Sequence, residues 1–281
     1  MDQWADEVRA AVEANLVTAK LVKMITFDKA VKGDVIHVPD VSNVAAADMP
    51  TDGTDIVATA PTEGEFTLTI NKWKHVSVQV PKNLALYLMK YEVRKEYTPK
   101  IGYGLGKIVD DDLFALVMSL SQNSGTTADG LEGNISDAII LKAIELLDLG
   151  DIDQSGRSLI LNARQKAKML AIDKFVRADA VGDSNQAIVK AEFGEIYGMK
   201  VYFTTQTPIK LAATAPATAV DSHINTMFQT EAFALAMPQD ANIDYDYIPM
   251  KKNYLLSGDI LYGVAEFRDA AGIRVFTKQT G

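Results

Sequence analysis

The residues that could bind a metal or move a proton are few and scattered. The three histidines, His37, His75 and His223, stand in separate segments without the spacings that bring two imidazoles to one helix face, and no cysteine is present to complete a zinc site. They read as structural. Asp110-Asp111-Asp112 gathers three carboxylates in sequence, but consecutive helical residues point about 100° apart and do not converge on one ion. The expectation there is a solvated or inter-subunit face. Asp244 and Asp246 are better placed, because alternate strand residues share a face, with Tyr245 and Tyr247 on the other. They are the candidate calcium contacts, against the plainer reading of an exposed polar face. Gly102-Tyr103-Gly104-Leu105-Gly106-Lys107 invites a nucleotide-loop reading, but no strand precedes it, its last glycine is misspaced and no Ser or Thr follows the lysine. Such small residues instead let another element approach a helix closely. No Gly-x-Ser-x-Gly elbow occurs, and neither a catalytic residue nor a cofactor is assigned.

Composition narrows the classes further. The absence of cysteine excludes disulfides and thiolate chemistry, and 281 residues are enough to bury a substantial core. No run of about 18 uncharged apolar residues occurs, and the acidic start Met1-Asp2-Gln3-Trp4-Ala5-Asp6-Glu7 lacks the basic region of a signal peptide. The expectation is no membrane partner, with synthesis in a cytoplasm. A net charge of −9 provides no basic footprint for gripping phosphates. That argues against a DNA-binding regulator but not against a container.

Positioning elements follow from periodicity. Trp4, Val8, Ala11, Val12, Asn15, Leu16 and Ala19 fall at threes and fours, which predicts an amphipathic helix over 2–23 with Asp2 as N-cap. Such a helix needs a surface to dock on, its own domain or a neighbour. Val35-Ile36-His37-Val38 reads as a short strand stopped by Pro39, and alternation returns in Phe66, Leu68 and Ile70, then in Val76, Val78 and Val80. As a hairpin, the stretch from Pro39 to Pro81 gives arms reaching roughly 65 Å, beyond a body whose radius of gyration is about 19 Å. Reaching onto another subunit resolves that overhang.

From 82 to 122 the pattern is helical, in Leu84, Leu88, Tyr91 and Ile101, Leu105, Ile108, Val109, Leu113, Leu116, Val117, Leu120, with Thr98-Pro99 marking a kink or a second start. The whole would be about 60 Å long. Asn123–Gly133 reads as a loop; a helix over Ala138–Leu149, a buried strand at Arg157–Leu161, a helix over Ala163–Phe175 and a strand at Gly198–Thr204 make an α+β unit. Strands Ala232–Met237, Ile243–Ile248, Asp259–Phe267 and Ile273–Thr277 complete the chain, with a turn at Asp269–Gly272.

The order of these parts resembles the Hong Kong 97-type major capsid proteins of tailed double-stranded DNA phages. GDVIHVP at 33–39, EGEFTLTINKWKHVSV at 63–78, IGYGLGKIVDDDLFAL at 101–116, RSLILNARQKAKML at 157–170, YGMKVYFT at 197–204 and LYGVAEFRDAAGIRVFT at 261–277 carry the likeness. The resemblance implies an α+β fold with an N-terminal arm (1–34), an E-loop hairpin and flanking strands (35–80), a spine helix of a peripheral domain (81–130), an axial domain (131–250) and strands returning to the peripheral domain (251–281).

It further implies hexamers and pentamers of one chain forming an icosahedral shell around DNA without sequence-specific binding. A separate scaffolding protein and a portal are the expected partners, and the location is the virion. Trp4, Val8, Val12, Leu16, Met49, Ile56, Val57 and Phe66 are the expected inter-subunit contacts. The Lys, Asn and Glu of the family's cross-linking variant match no position here. Two alternatives stay open at this point: an encapsulin-like nanocompartment shell, and a soluble enzyme or ligand-binding protein with residues 40–62 as a lid.

Overall fold

The computed structural model describes residues 17–26, 31–41, 63–82, 93–126, 133–172, 195–210 and 222–278. In chain order, a 3-10 turn at Thr18–Lys20 leads to strand β1 (Lys23–Ile25), followed by β2 (Val35–Val41), β3 (Glu63–Thr69), β4 (Lys72–Pro81) and helix α1 (Val93–Val117). A second group follows: β5 (Asn123–Ser124), α2 (Asp137–Leu149), β6 (Arg157–Asn162), α3 (Lys166–Leu170), β7 (Glu195–Ile196), β8 (Met199–Thr204) and β9 (Ile209–Lys210). The last strands are β10 (Ser222–Gln229), β11 (Phe233–Ile248), β12 (Asn253–Glu266) and β13 (Gly272–Lys278).

Two sheets share α1. A four-stranded sheet runs in the order β1-β11-β12-β4, and a seven-stranded sheet runs β5-β13-β10-β6-β8-β7 with β9 on β10. Ile101, Leu105, Val109 and Leu113 are spaced by four and fully buried, in one cluster with Leu256, Ile260 and Tyr262 from the first sheet and Ile160, Ile224 and Phe228 from the second. Of the small-residue stretch anticipated to admit a close approach, Gly104 does so, as does Gly258, which was not anticipated. A Cβ on Gly104 would lie 3.2 Å from Val76 Cγ2, and one on Gly258 of β12 only 2.7 Å from Ile101 Cγ2.

The seven-stranded sheet is covered on both faces. Leu159, Leu161, Met227, Ile273 and Val275 face α2 and α3 residues such as Ile139, Ile140, Ala143 and Met169, while Ile160, Ile224 and Phe228 join the α1 cluster. Double burial is why Ser-Leu-Ile-Leu in β6 reads as an apolar run without alternation. Helix α2 starts where expected, Ser136 accepting the Ile139 N–H at 3.4 Å.

A third, smaller cluster seats the β2–β3 ribbon. Ile36, Leu68 and Ile70 pack on Ala234, Ala236 and Leu261, the far face of the four-stranded sheet.

Several expectations need correction. Residues 18–25 form a 3-10 turn and a strand, so the helix anticipated over 2–23 does not run through them; β1 instead pairs in parallel with β11, Met24 opposite Leu235. Strand β2 does not stop at Pro39 but continues to Val41, with Pro39 opposite Glu65; an edge strand tolerates the lost donor. Helix α1 runs unbroken through Pro99, so Thr98 is an interior residue, 1% exposed, rather than a cap. The helix after β6 ends at Leu170, and the two strands expected between 232 and 248 are one strand with register shifts near Gln239. The loop expected from Asn123 begins with a short strand parallel to β13, and β10 was not anticipated.

The ribbon's seat gives a test. A methyl group at Gly263 would lie 2.6 Å from the Thr69 carbonyl oxygen and 3.2 Å from Ile70 Cα, and backbone yields less readily than a side-chain tip. Gly263→Ala is expected to lower subunit stability by about 1–3 kcal/mol, read from the denaturant midpoint. An unchanged midpoint would mean the ribbon is not seated on β12.

Candidate functional site

Buried contacts fix two roots, one at Val17–Ala19 and one at the base of the β2–β3 ribbon. The first root is at Asp110, on the row Gly102, Gly106, Asp110, Phe114 of α1, which is buried throughout. Its carboxylate is 1% exposed. Oδ2 accepts the Val17 N–H at 2.9 Å, and Oδ1 accepts those of Thr18 and Ala19 at 3.2 Å each. The turn Thr18–Lys20 has no side-chain cap of its own, Val17 supplying none, so a residue 91 to 93 positions away satisfies its first donors. Ala19 and Val22 then enter the α1 core.

Asp110 therefore corrects the expectation of a solvated or inter-subunit acidic face. Burial raises its pKa against the lowering effect of the three N–H groups. Asp112 is also engaged within the chain, accepting the Tyr262 hydroxyl and pairing with Lys72 Nζ at 2.9 Å. Only Asp111 faces solvent. A usable signal was present in the sequence: Asp110 and Asp112 continue four-residue rows of small and apolar side chains (Gly102, Gly106, Phe114 and Gly104, Ile108, Leu116), whereas Asp111 shares its row with Lys107.

The second root is the base of the β2–β3 ribbon. Gly33 N–H donates to the Ile70 carbonyl at 2.7 Å and Ile70 N–H to the Asp34 carbonyl at 2.9 Å, while Gly33 takes φ +104°, a conformation that favours glycine. The register runs from Val35 opposite Thr69 to Val41 opposite Glu63. Phe66 is half-buried, edge-on to Phe267 at 4.8 Å. His37, exposed, pairs with Glu65 across the ribbon.

The other expected contact residues, Trp4, Val8, Val12, Leu16, Met49, Ile56 and Val57, lie outside the described residues. Asp244 and Asp246 are exposed on β11, where Asp246 Oδ1 accepts the Tyr247 N–H at 2.7 Å. Tyr245 and Tyr247 sit on the other face, against Tyr254 at ring distances of 5.5 and 5.1 Å. Among the described residues no three His, Asp or Glu side chains converge as a metal shell.

What these contacts position is backbone, at Val17–Ala19 and at the base of the ribbon. A family model described as phage capsid protein matches residues 2–276. The chain belongs to that family. Solved structures share the fold at low identity. The capsid of Cyanophage P-SCSP1u is 16% identical with a TM-score of 0.71, covering 94% of this chain and 89% of its own. Mycobacterium phage Che8 gives 18% and 0.67, covering 92% and 90%. The virus-like particle from Pyrococcus furiosus gives 12% and 0.57, covering 98% of each. No curated protein matches by sequence. The α+β fold is thus of the Hong Kong 97 capsid type expected from the resemblance, and the chain is a major capsid protein of the virion.

The capsid protein also holds a buried polar layer that its sequence did not announce. Asn225 in β10 donates to the Thr277 hydroxyl at 2.7 Å and the Val275 carbonyl at 3.1 Å, and its Oδ1 accepts the Asn162 N–H at 2.6 Å. Asn162 Nδ2 donates to Thr207 at 2.7 Å and lies 3.4 Å from His223 Nδ1. His223 is 5% exposed, and its Nε2 has no hydrogen-bond partner among the described residues. Burial, then the nearby Arg164 charge, lowers its pKa. The unfolded chain consequently takes up this proton first as pH falls below about 6.5, and stability is lost from there down to the lowered folded value. The slope is at most about 1.4 kcal/mol per pH unit. His223→Gln is expected to flatten that part of the dependence, measured as urea midpoints between pH 7 and 5.

Proposed function

We propose that copies of this capsid protein assemble into hexamers and pentamers of an icosahedral head around double-stranded DNA, with residues 1–16 and 42–62 as the segments that reach neighbouring subunits. The observation that carries this reading is the pair of fixed roots: a buried carboxylate holds the chain at Val17–Ala19, and an apolar seat holds the ribbon that leads to residues 42–62. A subunit that invests buried contacts in the bases of two segments uses what those bases carry. Each inter-subunit contact made by such a segment loses ordering entropy and stays individually weak, while multiplicity supplies shell strength and leaves errors reversible.

On this reading the seven-stranded sheet with α2 and α3 is the axial domain, and α1 with the four-stranded sheet is the peripheral domain. The boundary then lies at the turn after β10, because β11 shares a sheet with β12 and β4, and β13 goes with the axial sheet rather than with the peripheral strands. A scaffolding protein and a portal are the proposed partners, assembly takes place in the host cytoplasm, and no catalytic step is assigned. The net charge of −9 suits a wall that encloses DNA without adhering to it tightly.

Light scattering and negative-stain microscopy of the expressed chain test the reading. Particles tens of nanometres across are expected, alone or with scaffolding protein; a monomer or dimer under every condition tried would overturn it. Nucleic acid should co-purify with filled particles, whereas a protein cargo would make them a nanocompartment. Deleting residues 45–60 should leave a folded subunit that no longer assembles. Trp4→Ala should reduce assembly more than it lowers subunit melting, and the reverse would place Trp4 in the subunit's own core.

A further inference from the structure

We propose that Asp110 is the positioning residue that aims the amino-terminal arm, fixing the point and direction in which residues 1–16 leave the subunit and hence which neighbouring copy they reach. The inference rests on the proposed role of the arm as an inter-subunit contact and goes one step further, to the group that directs it. A carboxylate is suited to this because it accepts from several donors at once, and here it holds three successive backbone N–H groups. Three bonds to one rigid group fix orientation as well as position.

The surroundings leave the turn little else to rely on. Among the described residues the Thr18 hydroxyl is buried without a hydrogen-bond partner, Val17 adds no cap, and Lys20 is exposed. Within the turn, Leu21 N–H donates to the Thr18 carbonyl at 2.9 Å. Downstream the chain is secured by Ala19 and Val22 in the core and by β1 on β11. Loss of the carboxylate should therefore loosen the whole turn through Lys20, and the chain before it, while Val22 and β1 keep the body folded.

Asp110→Asn keeps the side chain's shape but replaces one acceptor oxygen by a donor facing N–H groups. Trypsin cleavage after Lys20 in the unassembled subunit reads the opening of the turn directly, and is expected to become about ten-fold faster or more. Subunit melting should be little changed, and particles should be lost or become heterogeneous in size. Unchanged cleavage would overturn the proposal, and so would faster cleavage with particles of wild-type size and yield.

If Asp110→Asn does not fold, Thr18→Pro tests the same bonds from the arm side. It removes one donor and disfavours the helical backbone of Val17 (φ −102°, ψ −59°), and the same two readouts apply with the same expected and overturning results. Deleting residues 1–16 with Asp110 intact separates the two layers of the argument. Normal assembly of the deletion removes the arm's role and the aiming role with it. Failed assembly of the deletion beside normal assembly of Asp110→Asn removes the aiming role alone.

Discussion

Burial of one helix between two sheets organises the molecule. Helix α1 has a wide apolar and small-residue surface, with Ile101, Leu105, Val109 and Leu113 along one row and Gly102, Gly106, Asp110 and Phe114 along the next. Each fully buried aliphatic side chain contributes roughly 1.5–3 kcal/mol, so neither sheet can separate from the helix without exposing much of the core. Glycines at 104 and 258 set how close the first sheet comes. With that spacing set, Tyr262 reaches Asp112, and the β11–β12 pair presents the face on which the ribbon rests.

This frame holds the two roots from which the proposed inter-subunit segments start. Among the described residues several buried polar groups serve the backbone: Asp110 the chain near Val17, Arg157 the carbonyls of Ile152 and Asp153, and Asn225 and Asn162 the central strands.

Legibility in the sequence followed the simplicity of each residue's environment. Strand β6, buried on both faces, and the helix row at 101–113 were readable because apolar content and period alone determine them. Leu68 and Ile70 alternated cleanly since one face of β3 is covered and the other is exposed. Strand β10 escaped because His223, Asn225 and Thr226 look like a loop until Asn162 of β6, Thr207 between β8 and β9, and Ile273, Val275 and Thr277 of β13 supply their partners, none of them a sequence neighbour. Asp110 was misread for the same reason. Its charge pointed outward by type, while three donors some 90 positions away in the chain made the interior tolerable. Pro39 was read as a stop, and Pro99 as a kink or a second start, because a missing N–H is local information, whereas the packing that overrides it is not.

The polar layer of the central sheet bears on how such a chain survives its own abundance. A capsid subunit folds among many identical copies, each offering the same apolar strands as templates for wrong pairing. Apolar residues alone discriminate weakly between one register and the next neighbouring alternative. Asn225 does not: a slip of one residue against β13 turns it to the opposite face and strands its amide away from Val275 and Thr277, at about 1–3 kcal/mol for each buried polar group left unpaired. Asn162, held on the other side by Asn225, applies the same penalty to β6. Fidelity of the shell thus begins inside the subunit, in a few amide and hydroxyl groups that admit one alignment of three strands.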